Sequence, residues 1–444
     1  MEKNVEKWRS ISVMTRRRLL FALTSVIALG VPRQSEAYVG LFQPFAFGYV
    51  TDAHLATGRA DTYKLLQESQ LFLQDVVKSL NNERLDFVIF GGDQVEGPGK
   101  DDSNWQLFLD VAQSLSAPWN FVLGEADLMG PGVVDKMRTY GPDWKGKGIE
   151  TKTPYWSHDP LGGVHIIGLD TSRRDATYGE ISNKQLEWLK DDLARHQRRF
   201  TIVFSHHPLL APPPYDGGPP WDDYITHQGA SAREVLGTSK YVRLAVNGHL
   251  HVSKVQQERD IWYVSSPSLN VYPCAYQIFR VTPETITIET YQVNFPALVK
   301  KARKQLETST LAFQFNNARP ALFLDVAEGK DLDTNVILPL VPGKALQPLG
   351  KKKRQKAKRE RPKARKTDEK KPSADEKPAG ETPQSDGKSV DKQTGTEEKP
   401  NSTPARPEDK SAAGKEGQQP AIMPAAEKNQ STPQQPPVIP PANK

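Results

Sequence analysis

The chain predicts an α/β domain built of two packed, mixed sheets with helices outside, followed by a disordered tail. Three observations carry this expectation. Short β-branched or aromatic runs alternate with amphipathic helical text through the first half of the domain and give way to strand text further on. Several of those runs end directly in a polar block rich in His and Asp, where open α/β sheets place their sites. Roughly the last hundred residues are poor in apolar side chains and rich in Lys, Glu, Pro, Gln and Ser, so burial cannot offset the entropy of ordering them.

The elements follow in order. Phe45 to Val50 reads as the first strand, and Leu66, Leu73, Val77 and Leu80 line one face of a following helix. Strands are expected over Asp86 to Phe90, Trp119 to Leu123 and Val164 to Leu169. Ser182-Asn183-Lys184-Gln185 has the pattern of a capping box and opens a helix through Leu186, Trp188, Leu189 and Leu193. Phe200 to Phe204 and Val242 to Val246 are the next strands, and Tyr263, Tyr276 to Val281 and Thr285 to Val293 continue as β text.

The polar blocks are Asp52-Ala53-His54, Gly92-Asp93, Gly124-Glu125-Ala126-Asp127, Ser205-His206-His207-Pro208 and Gly248-His249-Leu250-His251. Each alone has a plain reading as a turn or a loop leaving a strand. Their ordered recurrence after strand-like text does not, and it outlines a two-metal phosphoesterase site. Hydrolysis of a phosphate ester needs hydroxide at neutral pH and positive charge on the phosphoryl oxygens, and two divalent ions roughly 3.5–4 Å apart supply both. A mixed imidazole and carboxylate set suits Mn, Fe or Zn better than Mg or Ca. In Gly248-His249-Leu250-His251 an extended backbone sends both imidazoles to the same side.

The order of blocks resembles the calcineurin-like metallophosphoesterase family, whose signature reads D-x-H, G-D, G-N-H-D, a His at a strand end, then G-H-x-H. That resemblance implies a four-layer αββα sandwich and a dinuclear metal-dependent enzyme, a phosphoric ester hydrolase. It assigns Asp52, His54, Asp93 and His251 to one ion and Asp93, Glu125, His206 and His249 to the other, with Asp93 bridging. The stretch from Asp170 through Gly179-Glu180 to the strand before His206 is similar to the branch of bacterial cyclic-nucleotide phosphodiesterases. The third block departs from the signature: Glu125 replaces Asn, and Ala126 replaces the His that helps the leaving group depart. A general acid of that kind contributes typically 10²- to 10⁴-fold, so substrates with good leaving groups suffer least from its loss. Members of the resembled family that lack this His tend to cleave diesters or pyrophosphates, so the resemblance implies phosphodiester or pyrophosphate bonds over alkyl monoesters, and His207 and Asp127 are the candidates to replace the missing acid.

Two insertions follow ligand blocks and are expected at the rim of the site: Gly130 to Trp156, with Lys145 and Lys147, and Ala211 to Tyr224, with Tyr215 and Trp221. Those aromatics either stack on a substrate or pin the loops.

Residues 1–37 read as an address: Thr15-Arg16-Arg17-Arg18-Leu19-Leu20 heads an apolar stretch to Val31, and Ser35-Glu36-Ala37 offers a cleavage site, as in a twin-arginine export signal. The expected organisation is this signal peptide, a catalytic domain over 38–348 and a tail over 349–444, in an exported, periplasmic or extracellular protein. The lone Cys274 excludes an internal disulfide framework. Residues 351–366 carry eleven Lys or Arg against Glu360, a net +10 within a chain of +6, which leaves −4 for the rest. The catalytic domain therefore has no strong nucleic-acid signal. The basic run suits anionic envelope polymers or lipid headgroups. The alternatives to an enzyme acting on a phosphorylated small molecule are a weakened relative that only binds such a ligand, and an envelope interaction protein acting through its tail.

Overall fold

The computed structural model describes residues 40–97, 99, 102–129, 153–174, 176–215, 221–341 and 344–350. The signal-type segment, most of the 130–156 insertion with Lys145 and Lys147, part of the 211–224 insertion and the basic tail lie outside the described residues.

Among the described residues, thirteen strands form two sheets. In the first, β1 (Phe45–Val50), β2 (Phe87–Phe90) and β3 (Trp119–Phe121) run parallel, and β10 (Ala275–Val281), β11 (Thr285–Gln292), β12 (Val336–Pro339) and β13 (Gln347–Pro348) continue antiparallel from β1. In the second, β5 (Val164–Gly168), β6 (Phe200–Phe204), β7 (Val242–Asn247) and β9 (Ile261–Ser265) run parallel, with β4 (Trp156–His158) and β8 (Lys254–Glu258) antiparallel at the edges. Both sheets are mixed, as expected.

Period-2 alternation decides what each strand faces. Ile166, Ile202, Phe204, Leu244 and Val246 join the core shared with the first sheet, where the Phe47 and Phe204 rings meet edge to face at 5.7 Å. Ile167, Val203 and Ala245 point the other way, into a second core under α3 (Asn183–Arg195) and α4 (Gly229–Leu236). On the far side of the first sheet, α1 (Ser69–Asn81) and α2 (Ser103–Ala112) bury Phe72, Val76, Leu80, Trp105 and Phe108. The four layers are thus helix, sheet, sheet, helix.

Several boundaries differ from the sequence reading. The α1 helix begins at Ser69, and Leu66 sits in the 3₁₀ turn before it. Ser182 caps α3 by accepting from the Gln185 amide at 3.2 Å. The Gln185 side chain, expected to reach back and complete a capping box, instead pairs with the Asp170 backbone, accepting at 2.9 Å and donating at 2.8 Å. It thereby ties the helix to the end of β5. After Gln292 come α5 (Pro296–Glu307), α6 (Thr310–Phe315), α7 (Leu322–Glu328) and α8 (Asp331–Thr334), which the sequence reading leaves unspecified. The last three are too short for a periodic signal.

One corner is clasped by a His and Asp network. His165 on β5 faces Asp159 through Nδ1 at 2.7 Å and Asp192 of α3 through Nε2 at 2.8 Å, and its ring stacks on His196 at 4.0 Å. Ser157 donates to the same Asp192 at 2.9 Å, joining β4, β5 and α3.

Ser182→Ala removes the side-chain acceptor at the first turn of α3. Stability in a denaturant titration should fall by about 1 kcal/mol, with bound metal unchanged.

Candidate metal centre

Every block sits just past the carboxyl end of a parallel strand: Asp52 after β1, Asp93 after β2, Glu125 after β3, His206 after β6 and His249 after β7. The turns there are unusual. Asp52, His54, Asp93, His249 and His251 all hold positive φ, between 44° and 68°, so the Gly248–His251 segment is a turn and not the extended run expected from its alternation. Such a conformation costs a non-glycine residue of order 1–3 kcal/mol and persists where surrounding bonds over-determine it. Here they do, because Asp52 N–H donates to Gly92 O at 3.0 Å, His54 N–H to Asp93 O at 2.9 Å and the His249 N–H to Asp52 Oδ2 at 3.1 Å. Gly124 is needed for a different reason: a Cβ there would stand 2.1 Å from Asp93 Oδ1.

The side chains converge on two adjoining clusters, Asp52, His54 and His251 in one and Glu125, His206 and His249 in the other, each with ligand atoms within 4.8 Å of one another. Asp93 stands between them. Its Oδ2 lies 3.6 Å from His54 Nε2 and its Oδ1 lies 3.5 Å from His206 Nε2. The Ala126 N–H donates to Oδ1 at 2.8 Å and fixes the carboxylate's rotation. Within the first cluster His251 Nε2 lies 3.2 Å from Asp52 Oδ1 and 3.4 Å from His54 Nε2. Within the second, Glu125 stands 3.1 Å from His206 Nε2 and 3.2 Å from His249 Nδ1.

These residues fit a pair of divalent ions. Among the described residues, Glu125 Oε2, His206 Nε2 and both ring nitrogens of His249 are buried with no partner in hydrogen-bond geometry, and such atoms are costly unless something satisfies them. Two of the imidazoles are also held through Nδ1: His206 Nδ1–H donates to Gly91 O at 2.9 Å, and His54 Nδ1 lies 2.7 Å from Glu96 Oε2, so each ring turns its Nε2 inward, the atom a metal would take. Burial opposes ionisation of Asp52 and Glu125, yet the imidazoles around each hold both carboxyls well below the usual range. Burial likewise opposes charge on His206, but Asp93 and Glu125 raise it well above its ordinary value.

His207 and Asp127 play into this arrangement from behind. His207 is fully buried, with Nδ1 3.0 Å from Thr171 Oγ1 and Nε2 3.4 Å from Glu125. Burial, with His249 beside it, pushes its imidazole well below the ordinary value. Asp127 is also fully buried, and its two oxygens accept from the Asp93, Gly124 and Val95 amides and from Gln94 Nε2 at 2.9–3.1 Å. Those bonds lock the turns that carry Asp93 and Glu125.

Glu96 and Lys64 were not singled out from the sequence. Glu96 follows Asp93 by three residues, a carboxylate close enough to a ligand turn to have been suspected. Lys64, which donates to Glu96 at 2.8 Å, carries no such signal. In the 211–224 insertion Tyr215 is buried, packs edge to face on Trp221 at 5.1 Å, and Trp221 reaches Phe315 at 6.0 Å. Those contacts are the ones that pin a loop.

Two sheets that present a shared carboxylate between two imidazole and carboxylate clusters define a metallophosphoesterase. Residues 46–253 match the calcineurin-like phosphoesterase model, and the chain carries a domain of that family. It is similar to a 3',5'-cyclic-nucleotide phosphodiesterase of Nostoc, with 25% identity over 51% of this chain and 78% of the relative. A cAMP/cGMP dual specificity phosphodiesterase of Mycobacterium tuberculosis is 28% identical over 46% of this chain and 61% of its own length. Among solved structures, a dimetal phosphatase from Danio rerio aligns at a TM-score of 0.46 and 14% identity, covering 55% of this chain and 95% of that one.

Glu96→Ala should leave the far-ultraviolet circular dichroism unchanged and weaken metal retention against a chelator by about 10- to 100-fold, the usual cost of losing a group that orients a ligating His.

Proposed function

We propose that this enzyme is a dinuclear phosphodiesterase whose substrates include cyclic nucleotides or related small phosphodiesters. The observation that carries the reading is Asp93, whose two oxygens face the two clusters. Asp52, His54, Asp93 and His251 would hold one ion, and Asp93, Glu125, His206 and His249 the other. When bound, the two ions would lower the pKa of water and neutralise phosphoryl charge.

The protein's own groups then act on geometry and charge. Glu96 holds the His54 ring, Gly91 O holds His206, and Asp127 holds the Asp93 and Glu125 turns, so the ligands need little reorganisation. Glu125 adds a negative charge where the family signature has a neutral Asn, which strengthens metal retention and lowers electrophilicity. Ala126 leaves its position without a proton donor, which favours diesters with competent leaving groups. The phosphodiesterase names of the relatives in Nostoc and Mycobacterium tuberculosis support the same substrate class. His207, neutral and beside Glu125, is the buried imidazole best placed to tune that ligand, and Asp127 serves as a positioning residue.

Export through the twin-arginine-type segment, and attachment of the basic run to anionic envelope polymers or lipid headgroups, belong to the same proposal. Their support is the sequence of residues 15–37 and 351–366.

The purified protein should contain two transition-metal ions per chain and hydrolyse bis-p-nitrophenyl phosphate and cyclic AMP faster than p-nitrophenyl phosphate. A preference for the monoester would overturn the substrate class. Asp93→Asn should lose metal and at least roughly 10²-fold in kcat/KM together; two retained ions with full turnover would remove Asp93 from the bridge. Removal of residues 351–444 should leave kcat/KM on the soluble diester unchanged while lowering retention on anionic vesicles, most visibly at low salt; a fall in turnover would make the tail part of the catalytic domain.

A further inference from the structure

Two tyrosines outside the five blocks stand beside the metal centre, one at each cluster. The Tyr63 ring lies 6.3 Å from the His251 ring, and the Tyr224 ring lies 6.0 Å from the His249 ring. Both residues are half-buried, so each keeps part of its side chain accessible beside the clusters. Neither hydroxyl has a hydrogen-bond partner among the described residues. Burial raises the Tyr63 phenol above its ordinary value, opposed by Lys64 and reinforced by Glu96, Tyr224 and Glu125.

Their neutrality bears on the substrate. Lys64 and Arg59, two cations beside the first cluster, are both drawn to Glu96, at 2.8 Å and 3.7 Å. Tyr63 and Tyr224 are by contrast uncharged donors beside the clusters. A phosphodiester carries one negative charge and asks for little more than the metals and neutral hydrogen bonds, whereas a dianionic monoester gains more from a free guanidinium or ammonium.

We propose that Tyr63 and Tyr224 are substrate-binding residues that donate hydrogen bonds to the oxygens of a monoanionic phosphodiester, supplying polar contact to the leaving side that Ala126 cannot. The proposal rests on the phosphodiesterase reading and deepens it by naming residues that select a diester. No proton need be transferred: the phenols stabilise charge as it develops on the departing oxygen, and the alkoxide takes its proton from water.

The test uses the full metal-loaded chain with Tyr63→Phe and Tyr224→Phe, which keep the rings and remove only the hydroxyls. Binding of dimethyl phosphate, an unreactive monoanionic diester, is measured by calorimetry, and kcat/KM is measured for cyclic AMP and for bis-p-nitrophenyl phosphate. Loss of a hydrogen bond to a charged group predicts roughly 10- to 100-fold weaker dimethyl phosphate binding in at least one variant. The loss in kcat/KM should be larger for cyclic AMP, whose alkoxide leaves reluctantly, than for the p-nitrophenyl diester. Unchanged binding and an unchanged ratio of the two substrates in both variants would overturn the proposal, and so would loss of metal, which would make the phenols supports of the clusters. If the parent binds dimethyl phosphate through the phenols but hydrolyses neither diester, the phosphodiesterase reading fails while the binding assignment stands.

Discussion

The structure turns on one carboxylate. Asp93 must present one oxygen toward each cluster, and a carboxylate can do so only if its rotation is fixed and its backbone held in place. The Ala126 amide fixes the rotation at 2.8 Å, and Asp127 accepts the Asp93 amide at 3.1 Å. Those contacts require β2 and β3 to be parallel neighbours, so that the turns after them lie side by side. They also require Gly124, since any side chain there would displace the very oxygen that faces His206. Sheet order, turn conformation and glycine placement all follow from this requirement.

The same requirement explains where backbone strain is spent. Five non-glycine residues of the blocks adopt left-handed φ, each at a cost the rest of the fold must cover. The covering comes from an extensive inter-sheet core in which Phe47 stacks on Phe279 at 4.6 Å and meets Phe204 edge to face. Packed sheets on both sides of the site hold these turns, and with them the side chains of the two clusters, in place.

The third block combines two changes that pull in the same chemical direction. Glu125 deepens the negative charge of a cluster that already shares Asp93, and Ala126 contributes its backbone amide to Asp93 while offering no side-chain donor. An ion held there would be bound firmly and would polarise its substrate less, and under the proposed phosphodiesterase reading the phenols of Tyr63 and Tyr224 would help stabilise the departing oxygen.

Much of the fold was legible because strand and helix periods are local properties. Phe45–Val50 and Phe200–Phe204 come out with the bounds the sequence suggests, and Ser182 caps its helix as expected. The order of the polar blocks was equally legible, since each immediately follows its strand. What the sequence could not contain is distance. Glu96 and Lys64 become partners of His54 only when the first two strands pair, Gln185 abandons its capping role only because Asp170 arrives beside it, and Tyr63 and Tyr224 meet the centre from segments with no motif of their own. Residue type and spacing determined which groups can bind metal and phosphate. Tertiary structure decided which of their atoms face inward, because that choice depends on hydrogen bonds and sheet register made by residues far apart in the chain.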